Sequence, residues 1–403
     1  MHRGFGIGRL FGIQIRIDWS WLIIFTLVVW SLGASLGQFH EDWSGFTVWA
    51  TAVSGALLFF ASVLAHELAH SLFAKSRGVP VRVITLFLFG GVSNIEREPD
   101  SPGSEFVMAI LGPLTSFAVG AVLLVLASVI TGRAGGAMNN PEQLIQSLTP
   151  LTTVLYWVGV INIFLGMFNL VPGFPLDGGR VLRSALWAAT GDLVRATRYA
   201  SFAGQGVAWI LILTGIAMVF GVRVPIFGTG FGGLWLAFIG WFLHTAATRS
   251  YQQIVVRDIL EGVSVRQMAV KDPPTVESGS TVDTLVHEHI MQSDDHAFPV
   301  MDDGNFAGIV TLGDVRSVDR SDWQSTRVGD IMTPVGELVT VSSDTDAATA
   351  LTRLVGRDVR QLPVVDGGRL IGLLRRRDIV RWLQFHSDRG LQEGMMGTRG
   401  GGR

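Results

Sequence analysis

The chain of 403 residues contains no cysteine, which excludes disulfide bonds, cysteine nucleophiles and thiolate metal ligands. A bound metal ion would therefore depend on histidine and carboxylate side chains. Charge is also scarce, because Asp, Glu, Lys and Arg make up only 16% of the residues, against about 25% in an ordinary soluble domain. With 48% hydrophobic residues, the composition predicts a membrane protein with several spans.

The charges that are present are unevenly distributed. Residues 1–250 hold 11 acidic and 14 basic residues, whereas the remaining 153 residues hold 22 acidic and 17 basic residues. An apolar part is thus followed by a part with the composition of a soluble domain. The net charge of −2 gives no indication of a nucleic-acid partner, and we expect none.

Six apolar segments are candidates for membrane spans, each of which needs about 20 mostly apolar residues. They are Trp19–Gly37, Phe46–Ala74, Phe106–Ile130, Leu151–Leu170, Ser201–Phe220 and Gly232–Ala247. Lys and Arg are concentrated before the first, after the second, between the fourth and fifth, and after the sixth. The positive-inside rule then predicts a multi-pass protein of the cell membrane with both termini in the cytoplasm.

Two connections between these segments are unusual. Val79–Arg97 is rich in β-branched and aromatic residues and is interrupted by Gly90 and Gly91, which predicts a small membrane-associated β hairpin or sheet. The fourth segment runs into Asn169–Arg180, whose prolines and glycines cannot continue a regular helix. Irregular backbone at membrane depth is tolerated only within protein or beside a water-filled cavity.

The second apolar segment contains the pattern H-E-x-x-H at His66, Glu67 and His70. On a helix the two histidines lie on one face and can bind one metal ion. Glu67 lies beside them, where it can take a proton from a metal-bound water. Three ionisable residues in an otherwise apolar helix are energetically costly and indicate a functional role.

A zinc centre of this kind needs a third protein ligand. Without cysteine, the candidates in the apolar part include Glu105, Asp177 and His244. Asp177 is followed by two glycines that would let backbone approach closely. It could also act as the N-cap of a helix that begins at Gly178, and the two roles are not exclusive. His244 is more typical of a polar residue at the membrane interface.

These motifs resemble the site-2 protease family of intramembrane zinc metalloproteases, in the branch with appended CBS domains. The segments that carry the resemblance are His66–His70, Gly90–Gly91, Gly112–Pro113 and Asn169–Gly178. The resemblance implies one zinc ion per chain, with His66, His70 and Asp177 as ligands and Glu67 as the catalytic acid/base. It also implies that Asn169 helps to hold the substrate or the oxyanion.

The implied substrates are transmembrane proteins, such as anti-sigma factors or other regulators with a single span. A transmembrane helix hides its peptide bonds in backbone hydrogen bonds, so the substrate must unwind before attack. We expect the hairpin with Gly90 and Gly91 to offer an open strand edge to the unwound substrate. Proline substitutions along Val83–Phe89 would test this expectation.

The part after Arg257 contains an internal repeat, in which residues 298–314 align with residues 362–378. It resembles a CBS-domain pair of α/β structure, a module that binds adenine nucleotides and forms dimers. The resemblance implies ATP or AMP contacts at Thr311 and Asp314, and at Asp378, where Arg375 replaces the expected hydroxyl. Helix capping is the alternative role of these aspartates.

The predicted architecture is a polytopic α-helical membrane protein of about six spans with a small membrane-associated β hairpin or sheet, followed by a cytoplasmic α/β CBS pair. The predicted parts are a protease domain at 1–250, a linker at 251–263, CBS repeats at 264–320 and 321–386, and a disordered tail at 387–403. We expect a homodimer, formed through the CBS repeats, that lies in the lipid bilayer.

Two other classes of function compete with intramembrane proteolysis modulated by nucleotide. A membrane transporter regulated by CBS domains has the same overall composition, but it gives the H-E-x-x-H motif no role. A non-catalytic membrane scaffold with a structural metal would have no use for Glu67. The sequence therefore favours an intramembrane zinc metalloprotease.

Overall fold

The computed structural model describes residues 4–95, 99–132, 146–224, 231–357 and 359–396, and the side chains of all of these except 95, 231 and 387–396. The chain divides into two compact units, Met1–Gln252 and Gln253–Arg403. The last two residues of the predicted hairpin segment and residues 397–403 of the predicted disordered tail lie outside the described residues. Residues 387–396 of that tail differ from the prediction, because they are the end of a helix, Arg376–Met396.

Long helices dominate the described part of the first unit. Their bounds are α1 Trp19–Phe39, α2 Gly45–Ser76, α3 Pro102–Thr131, α4 Pro150–Asn169, α5 Asp177–Thr190, α6 Leu193–Val219 and α7 Phe231–Leu260. Five of these helices, α1, α2, α3, α4 and α6, are long and apolar enough to cross a membrane. The fold thus agrees with the predicted polytopic α-helical architecture.

The sixth predicted span differs from the other five. Gly232–Ala247 is helical, as the first part of α7, but α7 is not among the helices that meet the length and hydropathy requirements for a span in the described residues. The orientation of the termini stays a prediction.

Four strands of the first unit form one sheet. They are β1 Gly4–Leu10, β2 Ile13–Asp18, β3 Val81–Phe87 and β4 Gly90–Ile95, in the order β1-β2-β3-β4. The outer pairs are antiparallel, and β2 and β3 are parallel. The predicted hairpin is therefore β3–β4, and β4 lies at an edge of the sheet. The β1–β2 hairpin has no counterpart in the sequence prediction.

One face of this sheet packs against the helices. Ile13 and Ile15 of β2 and Ile84 of β3 are almost completely buried in a cluster with Ala74 of α2 and Met108 of α3. Burial of β-branched side chains on one face of a pleated strand is what fixes its register against the helices. The sheet is thereby held beside the end of α2 that carries the H-E-x-x-H motif.

Helix α2 is well delimited at both ends. The Ser44 side chain accepts a hydrogen bond from the Thr47 amide and caps the first turn. The helix ends just before Gly78, whose φ of 76° favours glycine. The 32 residues of α2 span about 48 Å, so the motif at residues 66–70 lies near the C-terminal end of a helix longer than the bilayer core.

The second unit is an α/β structure with two sheets. The strands are β5 Val270–Lys271, β6 Val276–Glu277, β7 Ala297–Asp302, β8 Asn305–Thr311, β9 Thr333–Pro334, β10 Gln361–Asp366 and β11 Arg369–Arg375. The strand orders are β10-β11-β5 in one sheet and β6-β7-β8-β9 in the other. The α-helices are α8 Val282–Thr284, α9 Leu312–Arg316, α10 Val328–Ile331, α11 Ala347–Gly356 and α12 Arg376–Met396. Helix α8 continues into a π-helical turn at Leu285–Ile290. Short 3₁₀ turns lie at Val265–Gln267, Arg320–Asp322 and Val335–Glu337.

The internal repeat is visible in strand register. The hairpin β7–β8 begins with Ala297 opposite Thr311, and β10–β11 begins with Gln361 opposite Arg375. Each hairpin has a register shift at the same repeat position, after Val300 in the first and after Val364 in the second. The two hairpins are therefore structural equivalents with the same bulge.

Candidate metal centre

The two histidines of the H-E-x-x-H motif and Asp177 converge in the first unit. His66 and His70 lie one turn apart on α2, with their Nε2 atoms 3.3 Å from each other. The Oδ2 atom of Asp177 lies 3.0 Å from Nε2 of His66 and 3.2 Å from Nε2 of His70. Both histidines are buried, whereas Asp177 is partly exposed.

These distances fit a zinc ion. Three ligand atoms about 2.0–2.1 Å from a tetrahedral zinc would lie about 3.4 Å apart, close to the 3.0–3.3 Å observed between the imidazole nitrogens and the carboxylate oxygen. Within the described residues, this is the group of His, Cys, Asp and Glu side chains that could hold a metal ion. Its donor set, two imidazoles and one carboxylate, is one that zinc accepts.

Asp177 reaches the histidines because the chain turns sharply after α4. Helix α4 ends at Asn169, and α5 begins at Asp177 itself, with Leu176 as the N-cap and without a side-chain capping bond. The alternative role of Asp177 as an N-cap is therefore not observed, because Leu176 holds that position and the Asp177 carboxylate is turned towards the imidazoles. A Cβ on Gly178 or Gly179 would overlap the backbone of the preceding loop, so the two glycines permit this tight packing.

Helix α3 holds both imidazoles from the other side. The Nδ1 atom of His66 lies 2.9 Å from the Ser116 hydroxyl, and Nδ1 of His70 lies 2.7 Å from the carbonyl oxygen of Met108. A hydrogen bond at Nδ1 fixes the tautomer and leaves the Nε2 lone pair for a metal ion. Neither partner was predicted from the sequence, because each lies on a different helix from the histidine it contacts.

Gly112 lies directly against the cluster. A Cβ built on this residue would overlap Nε2 of both His66 and His70. Glycine at this position of α3 therefore creates the space that the two imidazoles occupy. The sequence offered only a hint of this, since Gly112–Pro113 interrupts an otherwise apolar helix.

Glu67 points to the sheet. The hydroxyl of Ser93, on β4, donates a hydrogen bond of 2.8 Å to Oε2 of Glu67, and the Ser71 hydroxyl donates to Ser93 over 3.0 Å. A Cβ on Gly91 would overlap the Glu67 side chain, so β4 passes in contact with this residue. A Cβ on Gly90, in contrast, would meet no atom within 4 Å, although its φ of 129° favours glycine.

The remaining predicted residues of the first unit lie outside this cluster. The Asn169 amide donates to the carbonyl oxygen of Leu165 in its own helix, over 3.0 Å. The ring of His244 packs against Trp209. Glu105, a candidate for the third ligand, is fully buried in an ion pair with Arg183, whose Nε lies 2.6 Å from Oε1.

The ion pair between Glu105 and Arg183 connects the two helices that complete the centre. Glu105 lies in the first turn of α3, and Arg183 lies in α5, six residues after Asp177. The guanidinium also lies over the ring of Phe174, 5.2 Å from its centroid. These contacts hold α5 in the position from which Asp177 reaches the histidines. The pairing of Glu105 with Arg183 could not be predicted from the sequence, because the two residues are 78 positions apart.

In the second unit, Thr311 and Asp314 form a capping box at the start of α9. The Thr311 hydroxyl lies 2.8 Å from Oδ2 of Asp314, which also accepts a hydrogen bond from the Thr311 amide. The capping role considered for Asp314 is therefore present. Both residues remain partly exposed to solvent.

The equivalent position in the second repeat is arranged differently. Arg375 binds both carboxylate oxygens of Asp378, at 2.9 and 3.1 Å, and its third nitrogen lies 2.7 Å from Asp295 of the first repeat. Arg377 also pairs with Asp295. Burial alone lowers the pKa of Arg375, but the hydrogen bond and charge of Asp378 and the charge of Asp295 outweigh it and raise the pKa. The Arg375 side chain thus occupies both carboxylate oxygens of Asp378, the residue expected to contact a nucleotide in the second repeat.

Comparison with known proteins covers both units. The sequence model of Peptidase family M50 matches residues 54–213, and that of the CBS domain matches residues 265–321 and 328–384. The first match includes the metal cluster, and the other two include the repeated hairpins.

Several relatives match almost end to end. A Mycobacterium tuberculosis protein named as a zinc metalloprotease, Rip3, is 34% identical over 94% of this chain and 93% of its own length. A Synechocystis protein, also named as a zinc metalloprotease, sll0528, is 33% identical over 95% of this chain and 96% of its own length. Among solved structures, the site-2 protease of Methanocaldococcus jannaschii is 28% identical, with a TM-score of 0.41, over 62% of this chain and 95% of that one.

Proposed function

Since the chain belongs to the zinc metalloproteases of peptidase family M50, of the site-2 type, and carries a CBS-domain pair, we propose that it hydrolyses peptide bonds within transmembrane segments of membrane-anchored proteins. The observation that carries this proposal is the convergence of His66 and His70, on a helix apolar enough to span a membrane, with Asp177 at the start of α5. Glu67 is next to His66 in the same apolar helix.

His66, His70 and Asp177 would hold the zinc ion through two Nε2 atoms and one carboxylate oxygen. When bound, zinc lowers the pKa of its water towards neutrality and polarises the carbonyl of the substrate. Glu67 accepts the proton of the attacking water and returns it to the leaving amine. The hydrogen bond from Ser93 restricts the rotation of the Glu67 carboxylate, which keeps one oxygen available for this transfer.

Strand β4 supports the proposed mode of substrate binding. It is an edge strand of the sheet and lies against Glu67 through Gly91, so an unwound segment that paired with this edge would pass beside the metal centre. Strand β3, where the proline substitutions were first placed, is paired on both sides by β2 and β4. Of the two strands of the predicted hairpin, β4 is therefore the one whose outer edge has no partner strand among the described residues.

The role that we propose for the CBS pair is regulatory. We infer that an adenine nucleotide binds at Thr311 and Asp314 and modulates cleavage or dimerisation. This part is supported by the match to the CBS domain and by the partial exposure of these two side chains. Anti-sigma factors or other single-span regulators are the proposed substrates.

The decisive experiment separates metal binding from catalysis. Purified protein in detergent or lipid should contain about one zinc ion per chain. Glu67→Gln is expected to retain the zinc and to lose cleavage of a membrane-anchored substrate, whereas His66→Ala is expected to lose both. Glu41→Gln, in the loop before α2, is the control and should retain both. Cleavage by Glu67→Gln at the normal rate would contradict the proposed role of Glu67.

A further inference from the structure

The β1–β2 hairpin presents an apolar face without a protein partner for its outer strand in the described structure. Ile13 and Ile17 of β2 are buried against the helices. Their partners across the hairpin are Leu10 and Phe5, and directly paired residues of an antiparallel sheet project from the same face. Leu10 and Phe5 therefore extend the apolar face sideways, yet they are 43% and 40% exposed.

The tip of the hairpin is also apolar. Leu10 and Ile13 are joined by Phe11 and Gly12, both with positive φ, of 52° and 79°. This backbone favours asparagine or glycine in the position of Phe11, and a bulky side chain there is uncommon. The Phe11 side chain is 67% exposed, and its carbonyl oxygen accepts a hydrogen bond of 2.7 Å from Lys75.

The opposite face of the hairpin is polar. Arg9 pairs across the hairpin with Gln14, and Gly6 pairs with Arg16. Arg9 is exposed to solvent, and Lys75 brings a further positive charge to the turn. The hairpin thus separates apolar side chains on one face from cationic and polar side chains on the other.

The hairpin leads directly into a membrane span. Strand β2 ends at Asp18, which caps α1, and α1 begins at Trp19. Trp19 is 58% exposed and its ring lies 5.5 Å from that of Phe5. Tryptophan at the end of a span marks the level of the lipid headgroups. The apolar face of the hairpin is therefore continuous with the lipid-facing surface of α1.

We propose that the β1–β2 hairpin lies in the headgroup interface of the leaflet where α1 begins, with Phe5, Leu10 and Phe11 inserted towards the acyl chains. The occupant of the apolar face is the bilayer itself. The positive charges of Arg9 and Lys75 complement lipid phosphates, as in helices that lie at the interface with an apolar face and a basic face.

The absence of cysteine makes this arrangement directly measurable, because a single introduced cysteine carries the only thiol of the chain. Leu10→Cys tests the apolar face and Phe11→Cys tests the apolar tip, whereas Arg9→Cys tests the polar face. Trp30→Cys in the middle of α1 is the lipid reference, and Asn305→Cys, at the exposed start of β8, is the aqueous reference. Each variant is labelled with a nitroxide in vesicles of phosphatidylcholine and phosphatidylglycerol.

The collision rate of each nitroxide with oxygen, which concentrates in lipid, is then compared with its collision rate with a water-soluble nickel chelate. The ratio of oxygen to nickel collisions at positions 10 and 11 is expected to be several-fold higher than at positions 9 and 305, and to approach that at position 30. Equal ratios at positions 9, 10 and 11 would overturn the proposal. Protection of positions 10 and 11 from both reagents would overturn it as well, because it would show that protein covers this face.

Vesicles of phosphatidylcholine alone separate apolar insertion from charge attraction. The high ratios at positions 10 and 11 are expected to persist there, since insertion depends on apolar area. Loss of these ratios in the neutral vesicles would show that the hairpin is held by charge alone and would contradict insertion. Each labelled variant is first checked for unaltered thermal unfolding, so that a change in ratio reports position and not loss of the fold.

Discussion

At the scale of single residues, the centre depends on small side chains as much as on its ligands. His66 and His70 can approach Asp177 only because residue 112 has no Cβ. The Nδ1 atoms are held by Ser116 and by a backbone carbonyl of the same helix. Helix α3 therefore contributes no metal ligand, yet it determines where the two imidazoles lie.

Gly112→Ala is accordingly expected to weaken zinc binding. The added methyl group would displace both imidazoles, so the loss should at least equal that from removing a hydrogen-bond partner of a ligand, roughly 10–100-fold. Zinc affinity is measured by competition with a chelator. Gly103→Ala, in the first turn of the same helix, meets no atom within 4 Å and is the control. Unchanged affinity in Gly112→Ala would show that the imidazoles can move aside.

At the scale of elements, the position of Asp177 follows from where α5 begins. Helix α5 starts at Asp177, is closely packed through Gly178 and Gly179, and is connected to α3 by the ion pair of Arg183 with Glu105. A pair of charges that is fully buried is costly to break, because one charge then remains in an apolar environment. The ion pair therefore affects both stability and the metal centre.

Arg183→Met is expected to lower the free energy of unfolding by about 3–5 kcal/mol, the usual cost of breaking a buried ion pair, and to weaken zinc binding. The double variant Glu105→Leu with Arg183→Met removes both charges and should be more stable than the single variant. Thermal unfolding in detergent measures the first effect and chelator competition the second. Arg195→Met, at an exposed ion pair of α6, is the control. If the double variant were no more stable than Arg183→Met, the unpaired charge of Glu105 would be excluded as the cause of the lost stability.

The same elements show how far the sequence could predict the structure. The spacing of four between His66 and His70 was enough to place both on one helical face, because it follows from the helical repeat. Asp177 came from family resemblance, since nothing local distinguishes a ligand from a cap. Ser116 and Ser93 could not be predicted, because their contacts depend on how α3 and β4 pack. The β1–β2 hairpin was missed because glycine at every second position of β1 hides the strand pattern.

At the scale of the whole molecule, two sequence repeats with the same hairpin register have different ligand chemistry. Thr311 and Asp314 keep a hydroxyl and a carboxylate at the end of β8, whereas Arg375 pairs with Asp378 at the end of β11 and with Asp295 of the first repeat. This ion-pair network connects the two repeats in the place where the second nucleotide would contact the chain. If nucleotide binds, we expect it to bind at the first repeat alone.

Arg375→Thr restores the hydroxyl that the second repeat lacks and is expected to add a second nucleotide per chain. Arg377 still pairs with Asp295 in this variant, so the repeats should stay connected. Calorimetry with AMP measures the stoichiometry, with Arg375→Ala as the control that removes the arginine without supplying a hydroxyl. Asp314→Ala should abolish binding to the natural chain, whereas Arg375→Thr combined with Asp314→Ala should bind at the second repeat only. A natural chain that already binds AMP at both repeats would show that the arginine moves aside and would refute binding at the first repeat alone.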